Sequence, residues 1–388
     1  MKFFHLSDLH IGIRLLNQDF REDQAYIFHQ MIERMRQEMP DAVVIAGDIY
    51  DRADPSAEAV ELFNDLMAEM TRALPQAEIM VVSGNHDSAS RVDLYRELLA
   101  SQKVHMIGQP PKEEGEFIEK VTLFDAYGPV NFYLLPFVRP FTVRQVLGTD
   151  EEGHTFSYDE TLRALLAREE IDETQRNVLV SHQFYLPVGG DAADMERADS
   201  ERIQVGNIDQ VYADVLAPFD YAALGHIHRP MQVGNGPAYY CGTPLAYSFS
   251  EAGQEKRMLM VELGEKTEEG CMRQVTSIPL TPLRQVKRIS GSLSEVLQEA
   301  SDDYVSVTLT DRADIGTPDL LPKLRSAFPH LLEQTWAVSG NAARTAAGQA
   351  AGEMDPYELC LDFAPDLTEK ERGILQDVIE SVWEVNEG

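Results

Sequence analysis

Residues 42–51, AVVIAGDIYD, run five apolar residues directly into Gly47-Asp48, with a second acid at Asp51. A short apolar run that stops at a Gly-Asp pair reads as a buried strand delivering a carboxylate to its own end. The same pattern recurs along the chain. Residues 1–6 lead into Asp8-Leu9-His10, and residues 79–83 into Gly84-Asn85-His86-Asp87. Residues 177–180 lead into Ser181-His182, and residues 221–224 into Gly225-His226-Ile227-His228. Residues 21–38 and 56–73 lie between the first three runs with helical spacing, the second preceded by the helix-start signal Asp54-Pro55. Strand, helix, strand predicts a layered α/β fold whose strand-end loops converge on one rim, where ligands bind.

Taken singly, each motif has an ordinary reading. Asp8 fits a turn after a strand, and Gly47-Asp48 and Gly84-Asn85 fit tight turns, since Gly and Asn adopt positive φ cheaply. A lone strand-end histidine such as His182 is commonly a hydrogen-bonded structural residue. Five strand ends that all carry acids, imidazoles or an amide are a different matter. Two adjacent divalent cations need mixed oxygen and imidazole ligands, a carboxylate able to serve both, and positions left open for water and substrate. Asp8, His10, Asp48, Asn85, His182, His226 and His228 meet that need. A central strand-end carboxylate such as Asp48 can donate two oxygens to cations about 3.5–4 Å apart. Asp87 reads as a residue that bonds the turn backbone.

The ordered set resembles the calcineurin-like metallophosphoesterases. Further stretches narrow the resemblance: residues 191–202 ending in Ser200-Glu201-Arg202, then Ala223-Leu224-Gly225-His226-Ile227-His228-Arg229-Pro230, and Cys241-Gly242-Thr243-Pro244 through Ser248-Phe249. These are similar to the SbcD nuclease family, strongly over about residues 1–280. Thr243 stands where that family usually has Ser. The resemblance implies a layered β-sandwich flanked by helices, a small α+β capping domain and a C-terminal helical pair. It implies that Asp8, His10 and His228 hold one metal, that Asn85, His182 and His226 hold the other, and that Asp48 bridges them. His86 would contact the phosphate and assist the leaving oxygen, with Asp51 orienting it. The implied metals are two divalent ions, manganese first and magnesium second. The implied activity is 3'-5' exonuclease on double-stranded DNA and endonuclease on single strands and hairpins, as a homodimer within a heterotetramer with the ATPase SbcC.

Two other readings compete. A phosphatase of the same superfamily would share Gly47-Asp48 and Asp51-Arg52, but those enzymes follow the Arg with Gly, where this chain has Ala53, and end their Asn-His motif in Glu, where it has Asp87. A catalytically silent regulatory subunit would have lost ligands, and none is missing.

Composition bounds the rest. The formal charge of −32 argues against a free-standing DNA binder, since duplex affinity comes mostly from Lys and Arg. Bound dications offset part of this, and residues 354–388 alone carry ten acids against two bases. A partner with a basic surface reconciles both. Cys241, Cys271 and Cys360 lack metal or disulfide spacing, so a reducing cytoplasm is expected, and no apolar stretch approaches the ~20 residues of a membrane span. His5 reads as packed or supporting, and His29, His105, His154 and His330 have no partner motif. Met31, Met35 and Met39, with Met67 and Met70, read as helix faces packed on the sheet.

Residues 257–263 and 272–280 read as closing strands around a charged turn at 264–270, and Thr281-Pro282 as a boundary. A capping domain at 281–338 then shows strand 283–289, helix 292–300 with a Ser292/Glu295 capping box, strand 304–309, helix 320–327 and strand 331–338. Residues 339–353, rich in Gly, Ala, Ser and Thr, read as a tether. The segment 354–388 reads as two amphipathic helices whose apolar face, Leu375, Ile379 and Trp383 included, predicts docking on the partner ATPase or fold-back on the cap.

Overall fold

The structure, a computed structural model, describes residues 1–94, 96–190, 198–201, 209–311, 319–337 and 372. The five motifs follow strands β1 (Lys2–Leu6), β2 (Ala42–Ala46), β3 (Glu78–Val82), β4 (Arg176–His182) and β5 (Tyr221–Gly225). Helices α1 (Arg21–Glu38) and α2 (Ala57–Ala73) connect the first three. Spacing of three and four residues puts Ile27, Phe28, Met31, Ile32 and Met35 of α1 on its buried face. Met39 is not on that face. It is the C-cap of α1 in the left-handed region and stands exposed. The start of α2 also differs from expectation: Ser56 is the N-cap, its side chain accepting the Ala59 N–H, so Pro55 lies outside the first turn.

One sheet runs Gly270–Pro279, Arg257–Thr267, β1, β2, β3, Val104–Ile107, and the other runs Met231–Gln232, Ala238–Tyr240, β5, β4, Gly128–Leu135, Glu119–Asp125. The strands β1, β2 and β3 are mutually parallel, as are β4 and β5. Their inner faces meet in a core that includes Phe3, Val44, Val82, Phe132, Val180 and Ala223. A second core lies under α1 and α2, and a third under the helix Tyr158–Ala167. Strands buried on both faces are apolar without alternation, which is why β2 reads AVVIA. The fold is therefore a mixed α/β sandwich in which three motifs come from one sheet and two from the other.

The closing hairpin is longer than its apolar residues indicate. Its strands extend through the charged residues to Thr267 and Gly270, with an irregularity between Leu263 and Lys266 where the first strand carries one extra residue. Beyond it, a three-stranded sheet is built from Val286–Gly291, Tyr304–Leu309 and Leu331–Trp336, with helices Leu293–Val296 and Leu320–Ala327. The Ser292/Glu295 capping box forms. The first strand begins at Val286 and not at residue 283, because Arg284 is engaged elsewhere, pairing with Glu22 and Asp23 of α1. Tyr304 donates its hydroxyl to Asp23 at 2.6 Å and sets its ring 4.7 Å from Phe20. Among the described residues no helix is long and apolar enough to cross a membrane. The expected tether and helical pair, with Leu375, Ile379 and Trp383, lie outside the described residues except for Arg372.

Candidate metal centre

The motif loops are held in backbone conformations that side-chain-bearing residues adopt at a cost. Asp8 (φ 52°), His10 (φ 43°), Asp48 (φ 49°) and His226 (φ 105°) all have positive φ without being glycine. Such strain persists only where surrounding contacts over-determine it, and here they do. Asp8 N–H donates to Gly47 O at 3.0 Å, and His10 N–H to Asp48 O at 3.0 Å, locking the first loop to the second. The Asp87 carboxylate accepts from the backbone N–H groups of Ile49, Tyr50 and Gly84, stitching the second loop to the third. Glycines precede three of the donors because a side chain there has no room. A Cβ on Gly47 would lie 2.2 Å from His182 Nδ1, on Gly84 2.0 Å from Asp48 Oδ1, and on Gly225 1.8 Å from the Ala46 carbonyl.

The two acids share one design. Asp48 Oδ1 accepts the His86 N–H and Asp8 Oδ1 accepts the His226 N–H, each at 2.9 Å. Each carboxylate is thus fixed by one oxygen, and its other oxygen faces the centre. Among the described residues Asp8 Oδ2 has no hydrogen-bond partner. Asp48 Oδ2 lies 3.4 Å from His182 Nε2, 3.6 Å from His10 Nε2 and 3.9 Å from His86 Nε2. On one side His10 Nε2 lies 3.0 Å from His228 Nε2. On the other, Asn85 Oδ1 lies 3.0 Å from His182 Nε2 and 3.1 Å from His226 Nδ1. Donor atoms of Asp8, His10 and His228 converge as one group within 4.8 Å, those of His10, Asp48 and His86 as a second, and those of Asp8, Asp48 and His182 as a third.

Burial and the facing rings set the electrostatics of the cluster. Burial raises the Asp8 carboxyl to about 6 and holds His10 well below its ordinary value. Burial opposes ionisation of Asp48, yet the His182 and His86 rings hold its carboxyl well below the usual range. Against burial, Asp48 lifts His182 to about 9. His182 donates Nδ1–H to the Ala46 carbonyl at 2.8 Å, so its Nε2 is left to face Asn85 Oδ1 and Asp48 Oδ2. Converging lone pairs in a buried site need positive charge among them, and a protonated imidazole is the best the protein alone supplies. The donor set, oxygen and imidazole with one carboxylate oxygen shared between two sides, fits a pair of divalent ions.

All seven residues read from the sequence as ligands come together here, with His86 beside them. Asp51 reaches His86 through its main-chain carbonyl, which accepts Nδ1–H at 2.8 Å; its carboxylate sits 3.4 Å from Arg52 instead. His5 is buried against Tyr221 and the Leu224 carbonyl, and burial lowers it to about 3. Sequence reasoning missed the supports. Gln24 of α1 donates to the Leu9 and His10 carbonyls and to the Tyr247 hydroxyl, while Tyr247 donates to Leu9 O at 2.6 Å. A glutamine in an amphipathic pattern gives no sign of this. Thr243 bonds Glu251 and Lys256 through its hydroxyl, the group it shares with Ser, so this departure from the family pattern keeps the contact.

Residues 1–230 match the calcineurin-like phosphoesterase family, and the chain belongs to that family. Residues 280–364 match the SbcD C-terminal family, described as type 5 capsule protein repressor C-terminal domain, and the two matches together make this an SbcD-type member of the superfamily. Among solved structures, a dimetal phosphatase from Danio rerio aligns at 16% identity with a TM-score of 0.41, covering 72% of this chain and 99% of its own. GAP50, the anchor in the inner membrane complex of Plasmodium, aligns at 12% identity with a TM-score of 0.40, covering 88% and 98%.

Proposed function

We propose that the protein is a two-metal phosphodiesterase that cuts DNA, as a 3'-5' exonuclease on duplex ends and an endonuclease on single strands and hairpins, in complex with the ATPase SbcC. The observation that supports the chemistry most is the single oxygen Asp48 Oδ2, which faces His10 on one side and His182 on the other, each within 3.6 Å. Asp8, His10 and His228 would hold one ion and Asn85, His182 and His226 the other, with Asp48 common to both. Bound there, two divalent cations, manganese by family resemblance, supply Lewis acidity to the phosphoryl oxygens and lower the pKa of water.

The chain's own residues do the rest. Asn85 adds an oxygen without adding charge. The carbonyl of Asp51 fixes His86 Nδ1–H, so any proton His86 delivers leaves from Nε2, the atom turned toward the centre. That places His86 to protonate the departing oxygen or to stabilise its charge. Asp51 acts on this ring through its main chain. The match of residues 280–364 to the SbcD C-terminal family supports DNA as substrate and SbcC as partner. A basic partner also answers the charge of −32, which disfavours DNA binding by this chain alone.

The deciding experiment measures cleavage of end-labelled duplex and hairpin DNA with manganese or magnesium, with and without SbcC. Metal-dependent release of nucleotides that rises when SbcC is added is expected. Hydrolysis of phosphomonoesters with no cleavage of DNA under any of these conditions would replace the nuclease with a phosphatase.

A further inference from the structure

The His228 ring is held from behind by a chain of polar groups that runs from partly buried Ser200 into the interior. Ser200 Oγ lies 2.8 Å from His228 Nδ1 and 2.6 Å from Glu251 Oε1. A serine hydroxyl has one proton, and an ionised carboxylate only accepts. The proton therefore goes to Glu251, and the Ser200 oxygen accepts Nδ1–H from His228. That choice of tautomer leaves His228 Nε2 as a lone pair facing His10 and Asp8, the state a metal ligand requires.

Glu251 is itself fully buried. Its Oε1 also accepts from the Ser248 hydroxyl at 2.9 Å, and its Oε2 accepts from Lys256 at 2.6 Å and Thr243 at 3.1 Å. Lys256, only 5% exposed, donates in turn to the His228 carbonyl at 3.1 Å. Ring and backbone of one histidine are thus pinned by the two ends of one buried ion pair. Buried pairs are weak stabilisers at best, and apolar residues of like volume often replace them without loss of stability. This pair is concentrated around a single donor. The other side of the centre has separate support, since His182 is oriented by the Ala46 carbonyl of β2.

We propose that Ser200, Glu251 and Lys256 are positioning residues that fix the tautomer and direction of His228. They thereby set the affinity of the Asp8–His10–His228 metal position without setting that of the Asn85–His182–His226 position. This rests on the two-metal reading above.

Manganese(II) alone, titrated into the full chain by calorimetry and followed by electron paramagnetic resonance, tests it. The wild type should bind two ions with a spin-coupled signal. Ser200→Ala should weaken one position 10–100-fold, the usual effect of removing a ligand's outer partner. The other position and the melting temperature of the metal-free protein should not change, and the signal should become that of an uncoupled ion. Ser200→Thr, which keeps the hydroxyl, should restore the pair. The double change Glu251→Gln with Lys256→Met removes both charges together and should give the same one-position loss. Wild-type affinity at both positions in Ser200→Ala, or equal loss at both, would overturn the proposal and leave the two-metal reading standing. Failure of the wild type to bind two ions would overturn that reading and this proposal with it.

Discussion

Asp48 and His182 face each other from different sheets, Oδ2 to Nε2 at 3.4 Å, although 134 residues separate them along the chain and each stands at the end of its own strand. The carboxylate is placed by the β2 turn and the imidazole by the Ala46 carbonyl at the end of β2, so one strand end organises both. Asp48→Ala should therefore remove the common oxygen and with it the pair of ions. Elemental analysis is expected to fall from two metals toward none, and hydrolysis of a simple phosphodiester should be abolished, while His5→Gln keeps most activity. Two metals bound by Asp48→Ala at wild-type affinity would refute the shared position.

His86 separates chemistry from metal holding. Its ring is fixed by the Asp51 carbonyl, and its Nε2 stands 3.9 Å from Asp48 Oδ2. His86→Asn should retain both ions and DNA binding, and lower cleavage by ~10²-fold or more, the scale of acid catalysis. His226→Asn should lose metal instead. If His86→Asn loses an ion, the residue belongs with the ligands. Asp51→Ala should differ from both: it keeps the carbonyl that holds the ring, so its effect on cleavage should be small.

The five strand ends were legible because a strand buried on both faces is uniformly apolar, and a chain that ends such a strand with an acid, amide or histidine announces the site. The partition into two sheets was not legible from β1, β2 and β3. It depends on pairings such as β4 with Gly128–Leu135, between segments 40 or more residues apart. The roles of the glycines were half legible. Gly47 has the positive φ its turn reading expects, but what forbids a side chain at Gly84 is the Asp48 carboxylate, a long-range contact. The contacts of Gln24, Ser200, Glu251 and Lys256 were illegible for the same reason: Ser200 stands in a family stretch that does not name its partner, and a polar residue that will meet groups distant in sequence resembles any surface polar residue until the chain is folded.

One ion pair outside the centre holds the sheets at their far edge. Arg176, 1% exposed, donates to Asp125 at 2.9 Å and to the Leu263 and Gly264 carbonyls, tying β4 and the hairpin of Glu119–Asp125 to the strand Arg257–Thr267. Hydrogen bonding from Arg176 holds the Asp125 carboxyl well below the usual carboxylate range. A lowered folded-state value contributes stability that is complete above the unfolded value near 3.8 and vanishes as the pH falls toward the folded value. Arg176→Met should cost about 1–3 kcal/mol at neutral pH, because the Leu263, Gly264 and Gly128 carbonyls lose their donor while Asp125 keeps the Met1 ammonium. Asp125→Asn should also destabilise at pH 7, and its melting temperature should fall less steeply than that of the wild type between about pH 5 and 2. Parallel acid profiles for the two proteins would show that the pair contributes nothing to acid sensitivity.

On the proposed reading, the C-terminal segment would join the charge of the chain to SbcC. Residues 354–388 carry a balance of −8, and their apolar positions Leu375, Ile379 and Trp383 share one helical face in the sequence. If the segment forms the helix pair that its spacing predicts, that pair cannot bury such a face by itself. Docking on SbcC would cover it and set the acidic face toward a basic surface. Truncation after Gly352 should then leave a metal-loaded protein that hydrolyses a small phosphodiester normally and no longer co-elutes with SbcC, with loss of duplex resection. Trp383→Ala alone should weaken the complex by about 2 kcal/mol, or roughly 30-fold, the scale of a buried aromatic anchor. Unchanged co-elution of the truncated chain would remove the docking role. A fall in its melting temperature would assign the helices to packing against the rest of the chain.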